Sequence, residues 1–294
     1  MVKWILLVCV LLAGCAAPRT EQIYVDPLVY DTEALARADT LVILIPGALT
    51  SRGMFYNAEA WADRPGYALA FYRFAGMDGL PLDRPLNIAE AGREIAAFAN
   101  RHPDKRIRIL GYSTGGPIGI LAASDIRGDV KVAAMSSAVE LAGGADTALR
   151  VARDVLVSAA RARSVRPEDV WLEYYRILLF GRTVRQRPEA VQTSDVYVDL
   201  LEDVIELPEK EVPAAQSSDL RHWRLPEEIE IDPERVRFFV GREDPVFSTR
   251  QTLAFARKLG GPKVQAYPGQ GHLLYETRPD VFDDILRWFE APAG

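Results

Sequence analysis

The sequence has few of the residues that mark several functional classes. It contains two cysteines, Cys9 and Cys15, both near the N-terminus, so the rest of the chain has neither a disulfide nor a thiolate metal site. Acidic residues (41) outnumber lysine and arginine (35), and a net charge of -6 offers nothing to a nucleic-acid backbone. The sequence also lacks metal-ligand spacing, a P-loop and a dinucleotide-binding glycine fingerprint, so we expect no metal and no cofactor.

The N-terminal residues carry a targeting pattern rather than part of a fold. Lys3 precedes an apolar run at residues 4–12, which is shorter than the roughly 20 residues that span a bilayer. The sequence LAGC at positions 12–15 resembles a bacterial lipobox, which implies cleavage before Cys15 and acylation of that cysteine. By resemblance to sorted lipoproteins, Ala16 in place of aspartate implies the cell envelope, at the periplasmic face of the outer membrane. An ordinary secretory peptide or a retained anchor is the alternative.

Alternating strand and helix patterns predict an α/β fold with a mostly parallel sheet. Residues 40–45 form a continuous apolar, β-branched run, which is typical of a parallel strand buried on both faces. The other predicted strands are 67–74, 105–110, 130–138, 236–240 and 263–267, with an edge strand or turn near 23–30. The predicted helices are 87–100, capped by Asn87, then 117–126, 248–259 and 279–289.

A long segment with helical spacing interrupts this alternation between residues 140 and 234. Its apolar residues recur three or four positions apart, around Tyr174 and again around Leu200. We expect a helical cap, and a separate small helical domain is the alternative. The predicted organisation is a signal peptide at 1–14, a tether at 15–38, a core in two parts at 39–139 and 235–294, and the cap at 140–234.

A serine framed by glycines lies between a predicted strand and a predicted helix. In the sequence GYSTG at positions 111–115, Ser113 is typical of a nucleophile elbow, a strained turn that pushes the hydroxyl clear of the sheet. The helix that follows points its N-terminal amides at the place where an oxyanion would form. Because so short a motif also occurs by chance, its interpretation depends on partners elsewhere in the chain.

A serine hydroxyl needs a base that takes its proton and an acid that orients the base. The chain offers three histidines. His102 lies at a helix end beside a proline, which is typical of a solvated cap residue, and His222 lies in the insertion, where packing or substrate contact is favoured. His272 follows the last predicted strand in the glycine-rich loop at 268–272, so we predict that it is the base.

Two carboxylates are candidates for the acid. Asp244 lies in the sequence GREDPVF at 241–247, directly after the strand predicted at 236–240, which is the first strand after the insertion. It is the favoured candidate. Its alternative role is to cap the helix that begins near Ser248, although Ser248 can serve there itself. Glu140, which follows the strand predicted at 130–138, is the second candidate.

The chain order Ser113, Asp244, His272, with each residue after a predicted strand, is the order found in the α/β-hydrolase fold. On these residues the chain resembles an α/β hydrolase of the esterase and lipase type over residues 40–290. The resemblance implies a mostly parallel central sheet flanked by helices, with a helical cap insertion, and a serine hydrolase as the activity.

The resemblance also implies an oxyanion hole made by the backbone N–H groups of Thr114 and Ala48. The chain departs from a common family pattern here, because Pro46 stands where a histidine usually precedes the glycine. The chemistry needs only backbone amides, so it stays possible, but Leu49 becomes an alternative to Ala48.

The expected reaction is cleavage of a small-molecule or lipid carboxylic ester through an acyl-enzyme. Lysophospholipase, peptidase and haloperoxidase-like chemistries share the same triad, and a non-catalytic binding lipoprotein on the same fold is a further alternative. We also expect the protein to associate with a membrane through the acylated Cys15.

The substrate-binding candidates are Leu49, Tyr112, Trp171 and Tyr175, although a helical aromatic stripe is more often core. Between residues 150 and 187 the insertion is also rich in arginine. Those side chains either form a basic face toward anionic lipid head groups or an acidic substrate, or pair with carboxylates nearby. The arginines lie at positions 150, 153, 161, 163, 166, 176, 182, 185 and 187.

Overall fold

The computed structural model describes residues 25–138, 144–164, 166–202, 209, 211–217, 219–221 and 223–292. A seven-stranded sheet organises this part of the chain. Its strands are β1 (Leu28–Tyr30), β2 (Thr40–Ile45), β3 (Tyr67–Tyr72), β4 (Arg106–Tyr112), β5 (Val130–Met135), β6 (Val236–Gly241) and β7 (Lys263–Tyr267).

The sheet is mostly parallel, in the order β1-β3-β2-β4-β5-β6-β7. Neighbouring strands from β3 to β7 pair in parallel, and β1 pairs antiparallel with β3 at one edge. The carboxyl ends of the parallel strands therefore share one edge of the sheet, which is where α/β folds bind their ligands. The predicted fold class is confirmed.

Eleven α-helices lie within the described ranges, and none of those helices is both long and apolar enough to cross a membrane. They are α1 (Thr32–Arg37), α2 (Tyr56–Glu59), α3 (Ile88–Asn100), α4 (Gly115–Asp125), α5 (Gly144–Ala162), α6 (Pro167–Phe180), α7 (Pro188–Glu202), α8 (Glu211–Ser217), α9 (Thr249–Lys258), α10 (Leu274–Thr277) and α11 (Val281–Glu290). Short 3-10 turns lie at Arg52–Phe55, Ala60–Asp63, Val184–Gln186, Asp219–Arg221 and Pro233–Arg235.

The apolar run of β2 explains how the core is divided. Side chains alternate across a strand, so Leu41 and Ile43 join one apolar cluster with α3 and α4, whereas Val42 and Leu44 join a second cluster with α11. All four side chains are fully buried, and each burial stabilises the fold by about 1.5–3 kcal/mol. The sheet is thus covered on both faces.

Several predicted boundaries agree with the structure and others differ. Strand β2 covers the predicted residues, and α3 begins where the Asn87 side chain accepts a hydrogen bond from the Glu90 N–H (2.9 Å). Strand β5 ends at Met135 rather than at residue 138, because Ser136 takes a φ of 46°, which no strand residue adopts. Strand β3 ends at Tyr72 rather than at residue 74.

Helices α5 to α8 occupy the insertion between β5 and β6. The buried residues Tyr174 and Leu178 of α6 belong to the same apolar cluster as Tyr112 of β4 and Leu273 of the loop after β7. This helix therefore packs into the core of the sheet rather than onto a core of its own. The predicted domain boundaries stay a prediction, and the one at residues 139–140 lies outside the described residues.

Candidate active site

Ser113 lies at a strained turn between β4 and α4. Its φ of 49° is in the left-handed region, which costs a residue with a side chain about 1–3 kcal/mol and persists only where the surroundings hold it. The Ser113 N–H donates to the Met135 carbonyl (2.8 Å), and the Ser137 hydroxyl donates to the Ser113 carbonyl (2.7 Å). Both bonds run to β5 and the turn after it, so the neighbouring strand fixes the turn.

The two glycines around Ser113 permit close backbone approach. A Cβ on Gly111 would lie 2.2 Å from the Gly115 carbonyl oxygen, and a Cβ on Gly115 would lie 2.3 Å from the Ile45 carbonyl oxygen. Neither contact can be relieved by a side-chain movement. The turn therefore requires glycine at both positions.

Asp244 and His272 form a buried hydrogen-bonded pair. Asp244 Oδ2 lies 2.8 Å from His272 Nδ1, and the two residues are 5% and 7% exposed. The other carboxylate oxygen, Oδ1, accepts from the N–H groups of Val246 (2.7 Å) and Phe247 (2.9 Å). Because the carboxylate faces Nδ1, the opposite ring nitrogen, Nε2, is the one left for proton transfer.

The loop after β7 brings His272 back toward β4, three strands away in the sheet. It crosses the end of β6 so closely that a Cβ on Gly241 would lie 2.1 Å from the Gly271 carbonyl oxygen. The His272 ring then packs on the Tyr112 ring, with 5.3 Å between the centroids. The imidazole is thus placed beside the residue that precedes Ser113.

The loop after β2 lies against the same turn, since a Cβ on Gly47 would be 3.0 Å from the Ser113 Cβ. The Leu49 N–H donates to Oε1 of Gln216 (2.6 Å), whereas among the described residues none accepts a hydrogen bond from the Ala48 N–H. Thr114 is buried immediately before α4. Of the two alternatives, Ala48 is the one whose amide has no acceptor within the described part of the chain, as a donor to an oxyanion requires.

The remaining acid-base alternatives are His102, His222 and Glu140. His102 follows α3 and packs on Phe98 (5.4 Å between ring centroids), near the start of β4 and thus at the opposite end from Ser113. Burial, and then the Lys105 charge, lower the pKa of His102. His222, Glu140 and Cys15 lie outside the described residues. Within the described ranges, no three His, Cys, Asp or Glu side chains are grouped as a metal site requires.

The four substrate-binding candidates have different surroundings. Leu49 is 40% exposed at the end of the loop after β2, and Trp171 packs on Tyr174 at the surface of α6. Tyr175 is half-buried, and its burial raises the pKa of its hydroxyl. Tyr112 is 1% exposed, and its hydroxyl donates to the His272 carbonyl (3.4 Å), so its contacts support the histidine loop rather than an open surface.

Several arginines of the insertion pair with carboxylates of the insertion itself. Arg176 bonds Asp195, and Arg185 bonds Glu173. These charges are compensated by carboxylates of neighbouring elements of the insertion, as the second interpretation of the arginine-rich segment expects.

Two residues near the site carry no sequence motif that would have found them. Gln216 of α8 is 1% exposed, and besides binding Leu49 it donates from Nε2 to the Ala75 carbonyl (3.1 Å). Arg182, after α6, reaches the turn that holds Asp244. One is an amide in a polar segment and the other is one of the nine arginines between residues 150 and 187, so only the folded chain distinguishes them.

Comparison with known proteins agrees with this fold. The sequence profile of the alpha/beta hydrolase family matches residues 42–285. No curated protein matches the chain.

Several solved structures share the architecture. BpoC from Mycobacterium tuberculosis H37Rv is 15% identical, with a TM-score of 0.65 over 92% of this chain and 98% of that chain. The enol-lactonase from Burkholderia xenovorans LB400 is 15% identical, with a TM-score of 0.61 over 89% and 95%. A thermophilic esterase from Thermogutta terrifontis is 16% identical, with a TM-score of 0.59 over 89% and 92%. At these identities the similarity establishes the fold, and together with the profile match it shows that this chain belongs to the alpha/beta hydrolase family.

Proposed function

We propose that the protein is a serine hydrolase that cleaves carboxylic esters, with Ser113 as nucleophile, His272 as base and Asp244 as the acid that orients the base. The observation that carries the proposal is the buried Asp244–His272 pair, which leaves Nε2 of the imidazole available beside the strained Ser113 turn. A buried carboxylate that holds a histidine in one tautomer is the arrangement that acyl transfer by serine requires.

In the proposed reaction, Nε2 of His272 takes the Ser113 proton while Oγ attacks the ester carbonyl carbon. The N–H groups of Ala48 and Thr114 stabilise the oxyanion, and each such donor is typically worth about 2.7–4 kcal/mol in the transition state. His272 then gives the proton to the leaving alcohol. A water molecule, deprotonated by the same imidazole, hydrolyses the acyl-enzyme and regenerates Ser113.

The decisive experiment compares the variants Ser113→Ala and Ser124→Ala. Ser124 is the control residue: it lies on α4, the helix that follows Ser113, and its hydroxyl donates to the Leu121 carbonyl (2.8 Å). Hydrolysis of p-nitrophenyl esters and labelling by a fluorophosphonate should both disappear in Ser113→Ala and persist in Ser124→Ala. An ester panel of graded acyl length, with a lysophospholipid and a peptide amide included, identifies the preferred acyl substrate. Folded wild-type protein that neither labels nor hydrolyses any of them would instead support the non-catalytic binding lipoprotein.

We also propose that the chain is lipid-anchored through Cys15 in the cell envelope, at the periplasmic face of the outer membrane. The support is the LAGC sequence at positions 12–15 behind a basic and then apolar N-terminus. Metabolic labelling with a palmitate analogue should mark the wild-type chain and not Cys15→Ala, and the variant should leave the membrane fraction. Label on Cys15→Ala would refute the anchor.

A further inference from the structure

Asp154 of α5 is a buried carboxylate that the proposed reaction does not use. It is 2% exposed, and both of its oxygens bond the guanidinium of Arg182: Nε donates to Oδ1 (2.9 Å) and Nη2 to Oδ2 (2.7 Å). This two-point geometry fixes the plane of the guanidinium, which a single contact would not do. Arg182 is therefore held in one orientation from within the insertion.

The same guanidinium also bonds the turn that carries the proposed acid. Arg182 Nη2 donates to the Pro245 carbonyl (2.8 Å), one residue after Asp244. The preceding residue, Gly181, has a φ of 83°, and a Cβ there would lie 2.5 Å from the Glu243 carbonyl oxygen. The chain after α6 thus touches the acid turn on both sides of Asp244.

The end of α6 supports the histidine loop as well. The last carbonyls of a helix have no partner inside the helix. Here the Leu178 carbonyl accepts from the His272 N–H (2.7 Å) and the Leu179 carbonyl accepts from the Gly271 N–H (2.8 Å). Arg187 adds a bond from Nη1 to the Gly269 carbonyl (3.0 Å). One segment of the insertion therefore holds both loops of the Asp244–His272 pair.

We propose that Arg182 is a positioning residue for this pair: anchored on Asp154, it holds the acid turn so that the Asp244 carboxylate stays on Nδ1 of His272. The inference rests on the proposed function and deepens it. It assigns α5 and the end of α6 to the rigid frame of the site rather than to a lid that opens.

The test replaces both charged partners together, as Asp154→Leu with Arg182→Met, so that no unpaired charge stays buried and the net charge is unchanged. The matched control is Arg185→Met, in the same segment, which removes only the contact with Glu173. With a p-nitrophenyl ester as substrate, we expect kcat of the double variant to fall about 10- to 100-fold with little change in KM, because a slightly misplaced catalytic group slows the chemical step. The control should match wild type.

Two readouts separate positioning from a loss of stability. The first is the split between kcat, which should fall, and KM, which should stay close to that of wild type. The second is the far-downfield proton resonance of the His272 Nδ1–H, which should weaken or vanish when the Asp244 carboxylate no longer accepts this proton. A double variant that has a lower melting temperature but an unchanged resonance and kcat overturns the proposal.

The same experiment keeps the two proposals apart. Fluorophosphonate labelling of wild-type Ser113 is measured first, and its absence refutes the proposed hydrolase. Labelling of wild type together with an equal labelling rate in the double variant refutes only the role of Arg182.

Discussion

Arg108 and Lys131 occupy paired positions on the neighbouring strands β4 and β5, and both side chains donate hydrogen bonds to carbonyls at the end of α11. Lys131 Nζ donates to the carbonyls of Trp288 (3.1 Å) and Ala291 (2.5 Å), and Arg108 Nε donates to that of Phe289 (3.1 Å). Two buried cations therefore satisfy helix-end acceptors that the helix itself cannot. These hydrogen bonds hold the end of α11 against the centre of the sheet.

Replacing Lys131 by methionine should lower the free energy of unfolding by about 1–3 kcal/mol, because buried carbonyls lose their donor. Urea unfolding followed by circular dichroism measures the change. Arg106→Met, at the exposed start of β4, is the control and should leave the midpoint close to that of wild type. Equal midpoints for Lys131→Met and wild type would contradict the assignment.

Replacing Glu276 by glutamine should stabilise the protein at neutral and alkaline pH. Burial raises the pKa of Glu276, so the folded state holds its proton more tightly than the unfolded state does. Above the folded pKa the ionised carboxylate costs stability, and this cost vanishes as the pH falls below the unfolded value of about 4.3. Melting temperatures of Glu276→Gln and wild type should therefore differ at pH 8 and converge near pH 4. The exposed Glu227→Gln is the control, and a difference that grows toward low pH would reverse the sign and refute the reasoning.

Replacing Asp244 by asparagine should lower kcat by about 10⁴-fold, because the amide no longer selects the tautomer with a proton on Nδ1. Glu140→Gln, which removes the alternative acid, should leave kcat unchanged. Steady-state hydrolysis of one activated ester by both variants decides between them. A large loss in Glu140→Gln with a small one in Asp244→Asn would transfer the role to Glu140.

Replacing Gly111 by alanine should destabilise the protein by at least about 3 kcal/mol, because the new methyl group would overlap backbone that cannot move aside. Gly53→Ala is the matched control, since its Cβ would meet only the Ser51 hydroxyl oxygen at 3.3 Å. Thermal unfolding of the two variants gives the comparison. A stable Gly111→Ala protein would mean that the turn tolerates a wider separation.

Local pattern predicts much of this fold. The uninterrupted apolar run of β2 requires burial on both faces, and the positions of Ser113, Asp244 and His272 after predicted strands place them at one edge of the sheet. Those residues are found from sequence because each carries its own short motif. Their roles stay predictions until the variants above are measured.

The contacts that hold the site could not be predicted in the same way. The Leu49–Gln216 bond joins residues 167 positions apart, and the Arg182–Pro245 bond joins residues 63 apart. Neither pair has a spacing, charge pattern or turn motif that distinguishes it from its neighbours. The left-handed conformation of Ser136 could not be predicted from the sequence either. It accompanies a hydrogen bond to the neighbouring strand β6, in which the Ser136 N–H donates to the Phe239 carbonyl (2.8 Å).

The bonds from the histidine loop to the end of α6 limit how this chain can be re-engineered. In a chimera that exchanged the whole insertion for that of another family member, the loop amides would keep their acceptors only if the new helix ended with its carbonyls where those of Leu178 and Leu179 lie. The insertion is therefore not an interchangeable module. Exchange is confined to α7, because α8 carries Gln216, which bonds the loop after β2, and α6 has to be kept together with β5 and β6.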